Sequence, residues 1–240
     1  MITHQRLVDY NYYSKRNFLD SKYRMLTRFK RNKIKINLKK NSKCLIFGSL
    51  DYYQGVRSLG DFKIYATENC NKPYFLHNNV KFKKTRLNKL DYKDQYFDFI
   101  FCNGILSHLK NHNYLIKEIY RVLKKKGSAW LNVYGDSRLN EMKNKLCKKF
   151  NIKTRTNLRK ILEFYNWDSS KINFIVELLN NHNSYFFKKK KFELFLKKIG
   201  FAKIKFCMRG SDSDLTEIVF KNPKLKRILN YGDLRYILCK

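Results

Sequence analysis

The chain of 240 residues holds two prolines and nine glycines, no apolar run near twenty residues, and 19 acidic residues against 53 lysines and arginines. Without a long apolar run, no segment reads as a membrane span. The opening MITHQRLVDYNYYSKR also lacks the apolar core of a signal peptide. The six cysteines (Cys44, Cys70, Cys102, Cys147, Cys207 and Cys239) are scattered, with no pair at metal-ligand spacing, so no metal is expected. A reducing cytoplasm is the natural compartment for them. The shortage of acids leaves a formal net charge of +34, a field that attracts polyanions. The lysines are spread along the chain, with short clusters at Lys83-Lys84, Lys124 to Lys126 and Lys188 to Lys191. Lysine over arginine, abundant Asn, Ile, Phe and Tyr, and scarce Pro and Gly are also what A/T-rich codons give in any protein. Charge therefore admits a nucleic-acid partner without requiring one.

Hydrophobic residues at 43% and aromatics at 16% exclude wholesale disorder, and the length suits one α/β domain with an embellishment. The most informative stretch runs from Phe97 to Gly127. Phe97 to Cys102 is an almost unbroken apolar run, as in a strand covered on both faces. Leu115, Ile116, Ile119, Val122 and Leu123 then recur at helical spacing, with Glu118 and Arg121 off the stripe. Asn113 is placed to cap the start of this helix, over Tyr114 to Lys124, and Gly127 to supply a left-handed stop. Ser128 to Tyr134 is a second buried strand, so strand, helix and strand imply a parallel sheet.

Further strands are predicted at Lys43 to Phe47, Ile64 to Thr67 and Val80 to Phe82, with a short helix over Gln54 to Leu59. Residues 1–41 form a basic helical lead-in, with Phe18, Tyr23, Met25, Leu26 and Phe29 as a partly apolar face. Residues 42–134 and 191–220 form the main domain, 135–190 a helical lid insertion, and 221–240 a C-terminal tail. Lys191 to Lys198 is a helix stopped by Gly200. Ala202 to Met208 and Leu215 to Phe220, joined by RGSDSD, read as an antiparallel hairpin.

This order of elements resembles a class I S-adenosylmethionine-dependent methyltransferase of the type 11 kind, over roughly Ser42 to Phe220. The likeness is strongest at LDYKDQYFDFIFCNGILSHL and KEIYRVLKKKG. It implies a doubly wound, mostly parallel seven-stranded Rossmann-like sheet with a C-terminal antiparallel hairpin, and S-adenosyl-L-methionine as cofactor. In such a sheet ligands bind beyond the carboxyl ends of the strands, near the reversal of strand order. Gly48 and Glu68 are about twenty residues apart, the separation that strand, helix and strand require. By resemblance Gly48 and Ser49 lie in the cofactor turn, Glu68 takes the ribose, Asn88 and Leu90 flank the adenine, and Asn103-Gly104 lies under the methionine end. The first loop departs from the family pattern. IFGSLDYY puts Ile46 where an acid is usual, with Leu50 and Tyr52 at the second and third glycines, and Asp51 as a stand-in acid. Arg86 stands where the family has an acid after its third strand.

Methyl transfer from a sulfonium rests on alignment, and a base is needed only when the acceptor must lose a proton. His108, after the central strand, is the candidate base, with capping or packing as its alternative role. His182 and Tyr185 are candidates for the acceptor pocket. Arg209, Asp212 and Asp214, in a cluster with Glu217, would bind a cationic or polyhydroxylated acceptor, pair with Arg235, or form a solvated turn. The expected activity is methyl transfer to a small or sugar-like acceptor. An RNA-modifying methyltransferase and a non-catalytic binding protein on the same fold are the alternatives.

Overall fold

A computed structural model of the chain describes residues 15–47, 52–68, 76–87, 89–138, 140–142, 145, 152–167, 184–212 and 214–240. The elements are α1 (Lys15–Arg31), β1 (Lys43–Phe47), α2 (Tyr53–Arg57), β2 (Lys63–Glu68), β3 (Lys81–Lys84), β4 (Phe97–Asn103), α3 (His112–Val122) and β5 (Leu123–Tyr134). They are followed by α4 (Ile152–Phe164), α5 (Lys189–Ile199), β6 (Lys203–Phe206), α6 (Leu215–Lys221), α7 (Pro223–Leu229) and β7 (Asp233–Cys239). Seven strands among the described residues form one sheet in the order β3-β2-β1-β4-β5-β7-β6. The first five are parallel, and β7 runs antiparallel to both β5 and β6.

Each face of the sheet has its own core, because alternate residues of a strand point to opposite sides. One face gathers Leu45, Ile100, Leu131 and Tyr236 under Leu115, Ile116 and Ile119 of α3 and Phe192 and Leu196 of α5. The other gathers Ile46, Ala66, Phe101 and Trp130 under Met25 and Phe29 of α1 and Val56 of α2. The lead-in helix is thus part of the fold: Met25 is 1% exposed, and the Phe29 ring lies 5.0 Å from Trp130. Burying side chains of this size contributes roughly 1.5–3 kcal/mol each.

Four expectations need correction. Leu215 to Phe220 is not a strand but helix α6, which buries Thr216, Glu217 and Val219 and exposes Ile218 and Phe220. The antiparallel partner of β6 is instead β7, inside the segment expected to be a tail. β7 lies between β5 and β6, and Leu234, Tyr236 and Leu238 of one face and Arg235 of the other are all buried. Its sequence therefore shows little alternation. Asn113 does not cap α3: the helix begins at His112, with Asn111 before it. Gly127 is not a left-handed stop: α3 ends at Val122, and Leu123 is already extended at φ −76° and ψ 131°. The positive φ at this junction falls on Lys126, at 63°.

Candidate functional site

The strand order reverses between β1 and β4, so the crevice of an open parallel sheet lies at their carboxyl ends. Register aligns those ends: Phe47 of β1 pairs with Cys102 of β4, Ile46 pairs with Ala66 of β2, and Cys102 and Asn103 pair with Leu131 and Asn132 of β5. Glu68 is the last residue of β2 and Asn103 the last of β4, so both arrive at one edge on the strands flanking β1. Gly48, Ser49, Asn88 and His182 lie outside the described residues, as do Leu50 and Asp51.

Asn103 is 6% exposed, and its Oδ1 accepts from Asn132 Nδ2 at 3.1 Å and Trp130 Nε1 at 3.4 Å. Asn132 Oδ1 has no partner among the described residues. A buried amide oxygen left open beside the strand ends is a polar handle that a ligand there would satisfy. Gly104 follows at φ 75° and ψ −24°, a conformation that costs glycine little, and its N–H donates to the Asn132 carbonyl at 3.0 Å. It opens a 3-10 turn over Ile105–His108. Asn103-Gly104 forms a close backbone turn at the end of β4.

His108 ends that 3-10 turn. Its ring meets Tyr134 edge to face at 5.3 Å, and its Nδ1 lies 3.4 Å from Ser184 Oγ. The chain returns from 135–190 to this edge: Tyr185 N–H donates to the Ser107 carbonyl at 2.7 Å, and Phe187 N–H to the Tyr134 carbonyl at 2.9 Å. Tyr185 is half-exposed, its ring tilted at 38° against that of His112 with centroids 4.5 Å apart, and its backbone bond to Ser107 brings it beside the turn that ends at His108. Burial lowers the pKa of His112 below the ordinary histidine value and favours its neutral ring, although the Leu109 carbonyl opposes this.

Leu90 is buried at 1% exposure and held by its backbone. Its N–H donates to Glu118 and its carbonyl accepts from Arg121, both at 2.8 Å. Arg121 also donates to the Tyr92 carbonyl at 2.8 Å and to Asp94 at 2.6 Å. The Glu-x-x-Arg pair of α3 therefore fixes the loop entering β4.

The acidic cluster is internally neutralised. Arg28 donates to both oxygens of Asp214, at 3.0 and 3.1 Å, and Arg235 donates to it at 2.9 Å. Arg209 forks onto Glu217 at 2.8 and 3.1 Å, and Arg31 meets Asp212 at 2.5 Å. Burial alone would raise the Asp214 pKa, but Arg235 and Arg28 outweigh it and hold the carboxyl well below the usual carboxylate range. Of the roles open to these residues, pairing with Arg235 is met by Asp214, joined by an unforeseen partner in Arg28. Tyr52 turns to the same face. It is 7% exposed, lies 5.6 Å from Phe101, and its hydroxyl accepts from Arg28 at 3.2 Å. At φ −72° it needs no left-handed backbone, so a tyrosine here carries no strain.

Asn132, Trp130 and Arg28 were not among the candidates drawn from sequence. An asparagine inside the apolar run of β5 was the available signal for Asn132; nothing local marked Arg28.

Residues 59–131 match the family described as a methyltransferase domain. No protein of curated function matches the sequence. Among solved structures, a chain of the Haloferax volcanii complex between the Trm112 methyltransferase activator and a methyltransferase is similar at TM-score 0.60. It is 11% identical over 94% of each chain. A S-adenosylmethionine-dependent methyltransferase of Thermotoga maritima has TM-score 0.56 and 16% identity, over 93% of this chain and 92% of that one. Haemonchus contortus phosphoethanolamine N-methyltransferase 2, solved with S-adenosyl-L-methionine, has TM-score 0.55 and 14% identity, over 95% of this chain and 53% of that one. Identities this low speak to the fold.

Proposed function

With the fold of the class I S-adenosylmethionine-dependent methyltransferases as its frame, and a methyltransferase-domain match over residues 59–131, we propose that this chain transfers a methyl group from S-adenosylmethionine to a small polar acceptor. The observation that carries the reading is the in-register arrival of β1, β2 and β4 at one edge, where the strand order reverses. Glu68 would take the ribose hydroxyls, and the Asn103-Gly104 turn would lie against the amino-acid end. The sulfonium supplies an already activated methyl group. The chain's own contribution is then alignment and exclusion of water. His108 and Tyr185 would flank the acceptor, with His108 taking its proton where the acceptor must lose one. Among the described residues no helix is long and apolar enough to cross a membrane.

Calorimetric titration with S-adenosylmethionine and S-adenosylhomocysteine tests the reading. Saturable binding is expected, weakened about tenfold by Glu68→Ala, the loss of one charge-assisted contact. No heat at millimolar ligand rejects it.

A further inference from the structure

We infer that α7, with the lysines that gather beside it, is an interfacial helix that rests the protein on an anionic lipid surface. The inference does not depend on the cofactor reading above. Asn222 starts the helix, its side-chain oxygen accepting from the Lys224 N–H at 3.2 Å, and Pro223 takes the first turn, where a missing N–H costs nothing. Leu225, Ile228 and Leu229 then fall on one stripe, with Lys224, Lys226 and Arg227 off it. A stripe like this on a core helix is covered by its neighbours. No residue of α7 is buried: Leu225 and Leu229 are partly covered, and Ile228 is 53% exposed.

The charge around the stripe is of one sign. From Ile218 to Gly232 the chain holds Lys221, Lys224, Lys226 and Arg227 and no acidic residue. A second group of cations, Lys188 to Lys191 around the start of α5, meets it across two rings. Lys189 Nζ lies 4.6 Å from the Phe206 ring, Phe206 lies 5.1 Å from Tyr231, and Lys226 Nζ lies 5.0 Å from the Tyr231 ring. Lys189 also pairs with Glu193 at 2.8 Å. This surface stands at the same edge of the sheet as the candidate site. Asn230 Nδ2 donates to the Asp136 carbonyl and the Gly135 N–H to the Gly232 carbonyl, both at 2.8 Å, just beyond the end of β5. Three occupants can be set against an apolar stripe ringed by cations. A second copy would bring the same cations against themselves at a two-fold contact. RNA answers the charge, but its bases stack on rings and leave Ile228 in water. An anionic bilayer answers both, taking Ile228 into the acyl boundary and the lysines among its headgroups.

The test is flotation of the full chain with vesicles of phosphatidylcholine alone, or of phosphatidylcholine and phosphatidylglycerol in equal parts. Binding is expected to the mixed vesicles, with little to phosphatidylcholine alone. Ile228→Ser, at an exposed position and without change of charge, should weaken it about tenfold, the scale of one aliphatic side chain. Lys224→Gln and Lys226→Gln should each weaken it about fivefold. Replacing Lys81, Lys83 and Lys84 of β3 by threonine removes charge at the opposite margin of the sheet and should leave binding near wild type. No binding to the mixed vesicles, or binding that Ile228→Ser leaves unchanged, overturns the inference. Equal loss in the β3 variant would make the binding a property of net charge and overturns it too. Two further results assign the surface elsewhere and reject the lipid: polyuridylate binding in place of vesicle binding, lowered by the lysine variants and not by Ile228→Ser, or a concentration-dependent dimer that Ile228→Ser abolishes.

Discussion

Asp214 accepts hydrogen bonds from two buried arginines, and its pKa follows from that placement: burial pushes it up, and Arg235 and Arg28 pull it down further. A carboxylate depressed on folding adds stability that is complete above its unfolded pKa, about 3.9, and disappears as pH falls through the folded value. The protein should therefore weaken from roughly pH 4 downward. Asp214→Asn, which removes the carboxylate facing buried Arg28 and leaves Arg235 with Asp233, should be less stable by about 3–5 kcal/mol at neutral pH and show a shallower acid slope. Urea midpoints across that range check this, and a variant keeping the full slope contradicts it. His108 makes the second residue-scale prediction. His108→Ala should lower turnover by about 10²–10⁴-fold if the acceptor must be deprotonated, with S-adenosylhomocysteine affinity near wild type. Equal losses in both would assign the ring to cofactor packing. Arg28 did not stand out in the sequence, because it lies 186 positions from Asp214; Arg235, 21 positions away, was one of the partners open to the cluster. The acids themselves were legible as a cluster, but their partners were not, apart from the Arg235 alternative.

The α3–β5 junction shows where elements are legible and where they are not. The apolar stripe of α3 identified the helix because Leu115, Ile116, Ile119 and Val122 all face one core. Its end was misread because the carbonyls there are held from afar: Lys240 Nζ donates to those of Tyr120 at 2.6 Å and Leu123 at 2.9 Å. Gly127 serves close approach instead. A Cβ there would stand 2.9 Å from the Lys124 carbonyl oxygen and 3.1 Å from that of Asp98. Both obstacles are backbone, so Gly127→Ala should cost about 1–3 kcal/mol, read as a lower urea midpoint. An unchanged midpoint would show that β4 and β5 can separate at this point. By the same logic α6 looked like a strand: LTEIVF is rich in β-branched residues, and only packing of Thr216, Glu217 and Val219 decides for a helix.

At the scale of the molecule, the excess of lysine has a visible use at the margins of the sheet. Among the described residues, the outer strands read Lys-Phe-Lys-Lys in β3 and Lys-Ile-Lys-Phe in β6, placing cations on both edges of the sheet. Charged edges resist pairing with another chain. Replacing Lys81, Lys83 and Lys84 together by threonine should raise concentration-dependent association in light scattering; a strictly monodisperse variant would remove that role from the lysines. The fold was legible because strand, helix and strand recur with their glycine and acid punctuation. The placement of Glu68 and Asn103 at the ends of their strands was legible, whereas contacts across the sheet, as of Asn132 with Asn103, were not. The most direct test is a crystal structure of the chain grown with S-adenosylhomocysteine. The nucleoside should lie across the ends of β1, β2 and β4, with its ribose hydroxyls within hydrogen-bond distance of the Glu68 carboxylate. Ligand bound elsewhere, or none bound at millimolar concentration, would contradict the account.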